Sequence, residues 1–196
     1  MTTNVPFWRT PAVWVSALLC FGCACTRTPG PPAGSQGKLI ARSFNSNLAL
    51  AHDSYNGVSC ASDGKIYYVL CTSVADIGAQ MYSYDPATGK IAHLGDLTEA
   101  CGEKRAGTVC QGKSHVNFIE ANGKLYFSTH LGYYANVGGR EGMGPPPPGM
   151  KQYPGGHFLS YDMRTGKFEN LGIDPNGGGI ISMAMDTKRG RLYGLA

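Results

Sequence analysis

Charged residues are scarce in this chain of 196 residues: Asp, Glu, Lys and Arg make up 15% of it, against roughly 25% in an average soluble domain. Aromatic residues make up 10%, and a chain with little charge and many aromatic residues is not intrinsically disordered. No apolar run approaches the roughly 18 residues of a spanning helix, which excludes a polytopic membrane protein. The length allows about one domain.

The chain also lacks an excess of positive charge outside its N-terminus. Its formal net charge is +4, and residues 1–37 contain two cations, Arg9 and Arg27, with no acidic residue. Residues 38–196 carry 15 Lys and Arg against 13 Asp and Glu, a net charge of +2. A near-neutral body has no electrostatic footprint for a phosphate backbone, so nucleic acid is excluded as a partner.

The first 25 residues have the pattern of an export signal. Arg9 precedes an apolar stretch of 11 residues, Ala12–Gly22, which is too short to span a membrane and suits a signal peptide. The sequence Gly-Cys-Ala-Cys at 22–25 resembles a bacterial lipobox, which implies lipidation of Cys23 or Cys25. Residues 26–37 form a Pro/Gly/Ser linker that suits a tether. We therefore expect an exported lipoprotein, periplasmic or at the cell surface, that meets the membrane only through this anchor.

Four cysteines follow the export signal, and an even number in an exported domain predicts two disulfides. Cys101 and Cys110 bracket a polar loop, so we expect them to pair first, which leaves Cys60 with Cys71. Four cysteines allow three connectivities, and free buried thiols are the alternative.

Two sequence units repeat along the body of the chain. The first, Asp63–Tyr68, returns at 122–127 and again at 189–194. The second, Tyr82–Ile91 with its Tyr-Asp-x-x-Thr-Gly-Lys pattern, returns at 159–168. Asp-Gly and Asn-Gly between apolar runs indicate the β-hairpins of the first unit. In the second unit, the Asp that opens a turn and the Gly four residues later, at its left-handed position, indicate another hairpin. No segment after residue 38 has the period of an amphipathic helix, so the fold class is predicted to be all-β.

A four-stranded meander that repeats in this way resembles the blade of a β-propeller, as in kelch, quinoprotein and related bacterial exported families. We place blades at 56–95 and 115–172, and the first hairpin of a third at 180–196. Propellers close with roughly four to eight blades, so residues 38–196 are expected to be a partial propeller of about two and a half blades, an N-terminal fragment.

Residues 107–114 match the P-loop pattern G-x-x-x-x-G-K-[ST]. That pattern binds phosphate only where a strand precedes it and a helix follows. Here the apolar alternation from His115 to Ile119 predicts a strand instead. Nucleotide binding is therefore rejected.

One rim of the second blade gathers the candidate functional residues. His115 is expected to begin its first strand, His130 to end its second and His157 to open its third, which places all three on the same rim. The joint between the second and third strands is enlarged by 18 residues within 131–156. The candidate ligand-binding residues are His115, Asn117, His130, Tyr133, Tyr153 and His157.

Two functions fit such a rim. The first is a binding module for a carbohydrate or a protein ligand. The second is a metal-dependent, lyase-like enzyme acting on polysaccharide, with His115, His130 and His157 as ligands of a divalent metal. In that case His115, His130 and Lys113 are the catalytic candidates. The alternative for the histidines is a structural role, with hydrogen bonds to loop carbonyls.

Overall fold

The computed structural model describes residues 41–196, most of them in a compact unit, Phe44–Ala196. The expectations for the signal peptide 1–25, for the linker 26–37 and for lipidation at Cys23 or Cys25 lie outside the described residues. In residues 41–196 the one short helix is far too short to cross a membrane.

The first sheet is a four-stranded antiparallel meander. Its strands are β1 (Val58–Cys60), β2 (Ile66–Leu70), β3 (Gln80–Asp85) and β4 (Lys90–Asp96), hydrogen-bonded in the order β1-β2-β3-β4. One helical turn, α1 (Leu97–Ala100), follows β4 directly. The Asp96 carboxylate caps this turn by accepting hydrogen bonds from the amides of Thr98 and Glu99.

The second sheet repeats the same meander with an insertion. It consists of β5 (Ile119–Ala121) and β6 (Lys124–Ser128), then β9 (His157–Asp162) and β10 (Lys167–Ile173). Between β6 and β9 lies a separate hairpin, β7 (Ala135–Val137) and β8 (Arg140–Gly142). A last hairpin joins β11 (Ser182–Asp186) to β12 (Arg191–Leu195). The prediction of an all-β fold with antiparallel four-stranded sheets is confirmed.

The turns form where the sequence places them. Asn122 and Gly123 connect β5 to β6 with φ of +52° and +74°, the left-handed conformation that an Asn-Gly hairpin turn requires. In both Tyr-Asp-x-x-Thr-Gly-Lys units, Gly89 and Gly166 have positive φ. The aspartate that opens the second of these turns, Asp162, accepts hydrogen bonds from the amides of Arg164 and Thr165.

The two large sheets share one apolar core. The buried side chains come from both, with Val69 and Met81 on the first sheet and Phe127 and Leu159 on the second. The packing is close: an added Cβ at Gly95 would lie 2.8 Å from the ring of Phe168. The last hairpin packs on the second sheet in the same way, since a Cβ at Gly194 would lie 2.7 Å from Phe158.

Two details differ from the sequence predictions. Residues 115–118 are not part of the first strand of the second sheet, which begins at Ile119. His115 instead lies in an irregular segment that is held by the bridge between Lys113 and His130. The sheets of the described residues also are not arranged as the predicted blades and do not close into a propeller.

The two predicted disulfides are absent in residues 41–196, where all four cysteines are free thiols. Cys60 lies opposite Ile66 in the β1–β2 ladder, five residues before Cys71. At roughly 3.3 Å per residue, that offset far exceeds the ~7 Å limit between bridged Cα atoms. Cys101 packs in the core, while Cys110 donates to the carbonyl of Val74 at 3.4 Å. Each thiol therefore has its own environment.

Candidate functional site

Lys113 is the largest fully buried side chain of the described residues, with an exposed fraction of 0%. Its ammonium donates to Asp53 Oδ2 at 2.6 Å. The same Nζ lies 4.1 Å from the ring centroid of Tyr133 and 4.9 Å from that of Tyr55. A buried ammonium needs such a carboxylate and such aromatic faces to replace its hydration.

Backbone pairing brings these residues together from distant parts of the chain. Lys113 and His130 exchange both backbone hydrogen bonds, at 2.7 and 2.8 Å, as an isolated antiparallel bridge beyond the end of β6. The segment that carries Asp53 pairs with the chain just after β2: the amide of Cys71 donates to Asp53 O and the amide of His52 donates to Cys71 O. Two strand extensions thus hold the anion and the cation in contact.

Two imidazole rings continue this group. The ring of His115 lies 4.7 Å from that of His130, edge to face, and 4.4 Å from the ring of Tyr55. Nε2 of His115 is buried and has no hydrogen-bond partner among the described residues. We call the six residues Asp53, Tyr55, Lys113, His115, His130 and Tyr133 the Lys113 cluster.

The protonation states in the Lys113 cluster follow from burial and from the ion pair. Burial favours the neutral forms of Asp53 and Lys113, but their mutual hydrogen bond and attraction outweigh it, so the pKa of Asp53 is lowered and that of Lys113 is raised. Burial, together with His130 and Lys113, lowers the pKa of His115 to about 4. Burial also lowers the pKa of His130, although its hydrogen bond to Leu131 opposes the shift. Both imidazoles are therefore neutral at pH 7.

An exposed histidine links the Lys113 cluster to the inserted hairpin. His52 Nε2 lies 2.8 Å from Glu141 Oε1 on β8, and its Nδ1 lies 3.3 Å from Asp53 Oδ2. Hydrogen bonds to Asp53 and then to Glu141 raise the pKa of His52. Only a doubly protonated ring can donate to both carboxylates. Because His52, Asp53 and Glu141 are all partly exposed, these two contacts of His52 add little stability.

A pocket of about 360 Å³ opens on the other side of His130. Its walls are the insertion between β6 and β9 and the glycine run 177–179. The run lies against the imidazole, since a Cβ at Gly179 would be 2.7 Å from His130 Nε2. The other side chains of this His130 pocket are mostly aromatic or apolar: Leu131, Tyr134, Met143, Gln152, Tyr153 and Ile181. Its volume falls in the range of small-molecule sites.

A second polar network lies apart from the Lys113 cluster. His157 Nε2 lies 2.7 Å from Glu103 Oε1, and its Nδ1 lies 3.0 Å from Asn170 Oδ1. Gln111 donates to Glu103 Oε2, while its own Oε1 accepts from the hydroxyls of Thr129 and Tyr153. Every polar group named here has a protein partner, as a buried structural network requires.

The predicted site residues divide between these places. Lys113, His115, His130 and Tyr133 come together in the Lys113 cluster. Tyr153 lines the His130 pocket, although its hydroxyl is committed to Gln111. His157 does open β9 as predicted, but both of its ring nitrogens belong to the second network. Asn117 is exposed and lines none of the pockets described.

The side chains of His115, His130 and His157 are not arranged to bind one metal ion together. In residues 41–196, no three His, Cys, Asp or Glu side chains are grouped so that they could hold a metal ion. His157 is occupied by Glu103 and Asn170, and His115 and His130 alone supply two nitrogen atoms, fewer than the three protein ligands of a typical catalytic zinc site.

The P-loop match has no phosphate cradle. The amides of Val109, Cys110 and Lys113 donate to the carbonyls of Lys151, Ala75 and His130, so they are not free for phosphate oxygens. The lysine side chain is turned into the Lys113 cluster. The segment after Ser114 leads to β5, where a P-loop would continue as a helix.

Sequence reasoning missed Asp53 and Tyr55, as well as Glu103 and Gln111. Asp53 and Tyr55 lie before the first repeat, where no turn or strand pattern marks their position. Glu103 and Gln111 belong to the joint between the two sheets. Glu103 contacts His157, 54 residues later, and Gln111 accepts from Thr129 and Tyr153, 18 and 42 residues later, so spacing carries no signal for them. For Asp53 the sequence offers one signal of a polar site, the histidine directly before it at position 52.

Comparison with known proteins gives this site no family. No protein-family model matches the chain, and no curated protein matches it either.

Proposed function

We propose that this chain is an exported, lipid-anchored β-propeller module that binds a carbohydrate in the His130 pocket. The observation that carries the proposal is the pocket itself. It combines aromatic and apolar walls, Tyr134, Tyr153 and Leu131, with one neutral imidazole, His130. Sugars present apolar faces and rings of hydroxyl groups, and a site of this composition suits both.

The propeller part of the proposal rests on repetition. Two four-stranded meanders and a third hairpin follow one another along the chain, and each packs its face on the next. A propeller is built from such meanders repeated along the chain. The His130 pocket lies between the insertion and the segment before β11, and functional sites tend to be built from such loops on a rigid scaffold.

The Lys113 cluster packs against His130 on the side away from the pocket and stabilises the pocket wall. Lys113 is fully buried, so its role is to fix Tyr133 and the backbone of His130 and not to touch a ligand. The closed ion pair also holds the segment at 52–57 against the second sheet. A binding module needs such preorganised walls, because ordering them on binding would weaken affinity.

The test is binding of soluble oligosaccharides by isothermal titration calorimetry. The panel contains neutral oligosaccharides from cellulose, mannan and galactan, and uronate oligosaccharides from alginate and polygalacturonate. We expect at least one to bind, and Tyr134→Ala to weaken that binding about tenfold by removing an aromatic wall. Tyr193→Ala is the control, because Tyr193 is exposed on β12 and outside the pocket. Binding of no member of the panel would contradict the proposal.

Two measurements distinguish the metal-dependent lyase alternative from the binding module. One is the metal content of the purified chain, and the other is release of unsaturated products from the uronate oligosaccharides. About one tightly held divalent ion per chain together with product release would favour the enzyme. Intact oligosaccharide recovered from a binding chain favours the module.

A further inference from the structure

We infer that the His130 pocket selects neutral sugars and rejects uronates, because its imidazole accepts a hydrogen bond from a ligand hydroxyl and none of the described residues that line it is a cation that could meet a carboxylate. This inference rests on the proposed function and names the ligand class of the same pocket. It also opposes the uronate substrates of the lyase alternative.

The first step is the orientation of the His130 proton. Nδ1 lies 2.8 Å from the carbonyl oxygen of Leu131, and a carbonyl can only accept. Nδ1 therefore carries the proton, and in the neutral ring Nε2 is left as an acceptor. Within residues 41–196 the ring makes its hydrogen bond through Nδ1, and Nε2 is not among the fully buried atoms that lack a partner. A ligand hydroxyl can donate to it, whereas an ionised carboxylate has no proton to donate.

The second step is that the tyrosine donors of the pocket are already used. Tyr134 donates its hydroxyl proton to the carbonyl of Gly144, at 2.7 Å. Tyr153 donates to Gln111 Oε1, also at 2.7 Å. These hydroxyls cannot donate to a ligand without breaking an existing hydrogen bond. Among the lining side chains, the amide of Gln152 is the donor that remains.

The third step is charge. Among the described residues that line the pocket, none is Lys, Arg, Asp or Glu. Lys113, the cation of the Lys113 cluster, is fully buried and paired with Asp53. A carboxylate entering the pocket would lose water without gaining a counterion, which is costly, whereas a hydroxyl group carries no such penalty.

The experiment compares neutral and uronate oligosaccharides of equal length by calorimetry, with Gln152→Lys as the key variant. Gln152 is exposed, so the change leaves the core intact. The unmodified chain is expected to bind the neutral oligosaccharide at least tenfold more tightly than the uronate. Gln152→Lys is expected to lower that ratio at least tenfold by supplying a cation. Asn117→Lys, an exposed change away from the pocket, is the control and should leave the ratio unchanged.

A second variant tests the acceptor. His130→Phe keeps a ring of similar size but removes Nε2, and we expect neutral-sugar binding to fall at least tenfold while thermal unfolding remains cooperative. His93→Phe, outside the pocket, is the control.

The outcomes separate the two proposals. Binding of neither sugar class overturns the proposed function. Preference for the uronate, or a ratio that Gln152→Lys does not move, overturns the inference and leaves the binding module standing. Unchanged affinity in a folded His130→Phe variant also overturns the inference.

Discussion

The charge on Lys113 is the most costly feature of the site at the scale of single residues. An ammonium with no exposed surface is tolerated because Asp53 lies 2.6 Å away and two tyrosine rings face it. Removal of the cation would leave the Asp53 carboxylate, whose second oxygen already lacks a hydrogen bond among the described residues, without its partner. Loss of one member of a buried pair costs far more than the pair contributes in net stability.

We therefore predict that Lys113→Met destabilises the fold strongly. Asp53 keeps some exposure, so the loss should fall near or below the lower end of the roughly 3–5 kcal/mol seen for fully buried pairs. The measurement is the free energy of unfolding in urea. Lys124→Met is the matched control, since the Lys124–Glu169 pair is exposed and its loss should cost little stability. Equal losses in the two variants would contradict the prediction.

A second residue-scale prediction concerns pH and His157. Burial by itself lowers the pKa of His157, but hydrogen bonds to Glu103 and Asn170 outweigh burial, and the net pKa is raised above 6.5. The resulting stabilisation is complete below pH 6.5 and is lost as pH rises through the folded-state pKa. We expect the urea midpoint to fall on the alkaline side of pH 6.5, and His157→Gln to flatten that fall.

The control for this prediction is His93→Gln, because His93 lies at an exposed position of β4 and its ring contacts the side-chain amide of Gln80 and not a carboxylate. A His157→Gln variant that keeps the full alkaline decline would refute the assignment. His115 acts in the opposite direction: with a pKa of about 4, it stays neutral in the fold while the unfolded chain takes up a proton between pH 6.5 and 4. Stability should therefore also fall on the acid side.

At the scale of elements, the strands that repeat are those that the sequence predicts. Each has its own local turn signal, such as Asn122-Gly123 with both φ angles positive. The hairpin β7–β8 was not predicted, because the short strands on either side of Gly138-Gly139 lie in a segment rich in glycine and proline. The helical turn α1 was missed too, although Asp96 and Glu99 have the spacing of a capping motif.

Gly179 lies where the segment before β11 contacts the pocket, and substitution there tests that contact. This residue packs directly on the imidazole of His130, so Gly179→Ala must displace either the ring or the segment before β11. We expect a lower thermal midpoint and weaker oligosaccharide binding. Gly142→Ala is the control, because its Cβ would meet Val137 at an ordinary 3.6 Å and its φ is not positive. Wild-type binding and stability in Gly179→Ala would disprove the close contact.

At the scale of the whole molecule, the two sheets act as one body because they share a core. Cys71 and Cys101 belong to that core, and Cys110 is buried beside it, while Cys60 is exposed on β1. Burial raises the pKa of the Cys71 and Cys110 thiols to about 12, so neither forms a reactive thiolate at neutral pH.

We predict that these thiols report on cooperative unfolding. In the native protein a maleimide should modify Cys60 and leave Cys71, Cys101 and Cys110 protected. In urea, the three protected thiols should become reactive over one shared transition. The measurement is peptide mass spectrometry after labelling at increasing urea concentration. Peptides joined through disulfides would contradict the free thiols, and separate transitions would contradict a shared core.

The sequence by itself determined the β-class and the tight turns, because each turn depends on residues within about ten positions of one another. The two meanders were predicted from the repeat, although their central pairs, such as Lys124 with Asp162, are far apart in sequence. Tyr-Asp-x-x-Thr-Gly-Lys and Asn-Gly set a local backbone conformation wherever they occur. Strand order also predicted His115, His130 and His157 on one rim, with Lys113, Asn117, Tyr133 and Tyr153 nearby. Of these, Lys113, His115, His130 and Tyr133 come together.

Only the tertiary structure decided which of those residues meet and what partners they take. Lys113 pairs with Asp53 from a segment 60 residues earlier, and His157 turns away to Glu103, 54 residues earlier. Contacts of this kind depend on burial and on how two sheets pack, and no local pattern encodes them. The same reason explains the cysteines: closeness along the chain suggested disulfides, while the β1–β2 register and separate burial sites keep the thiols apart.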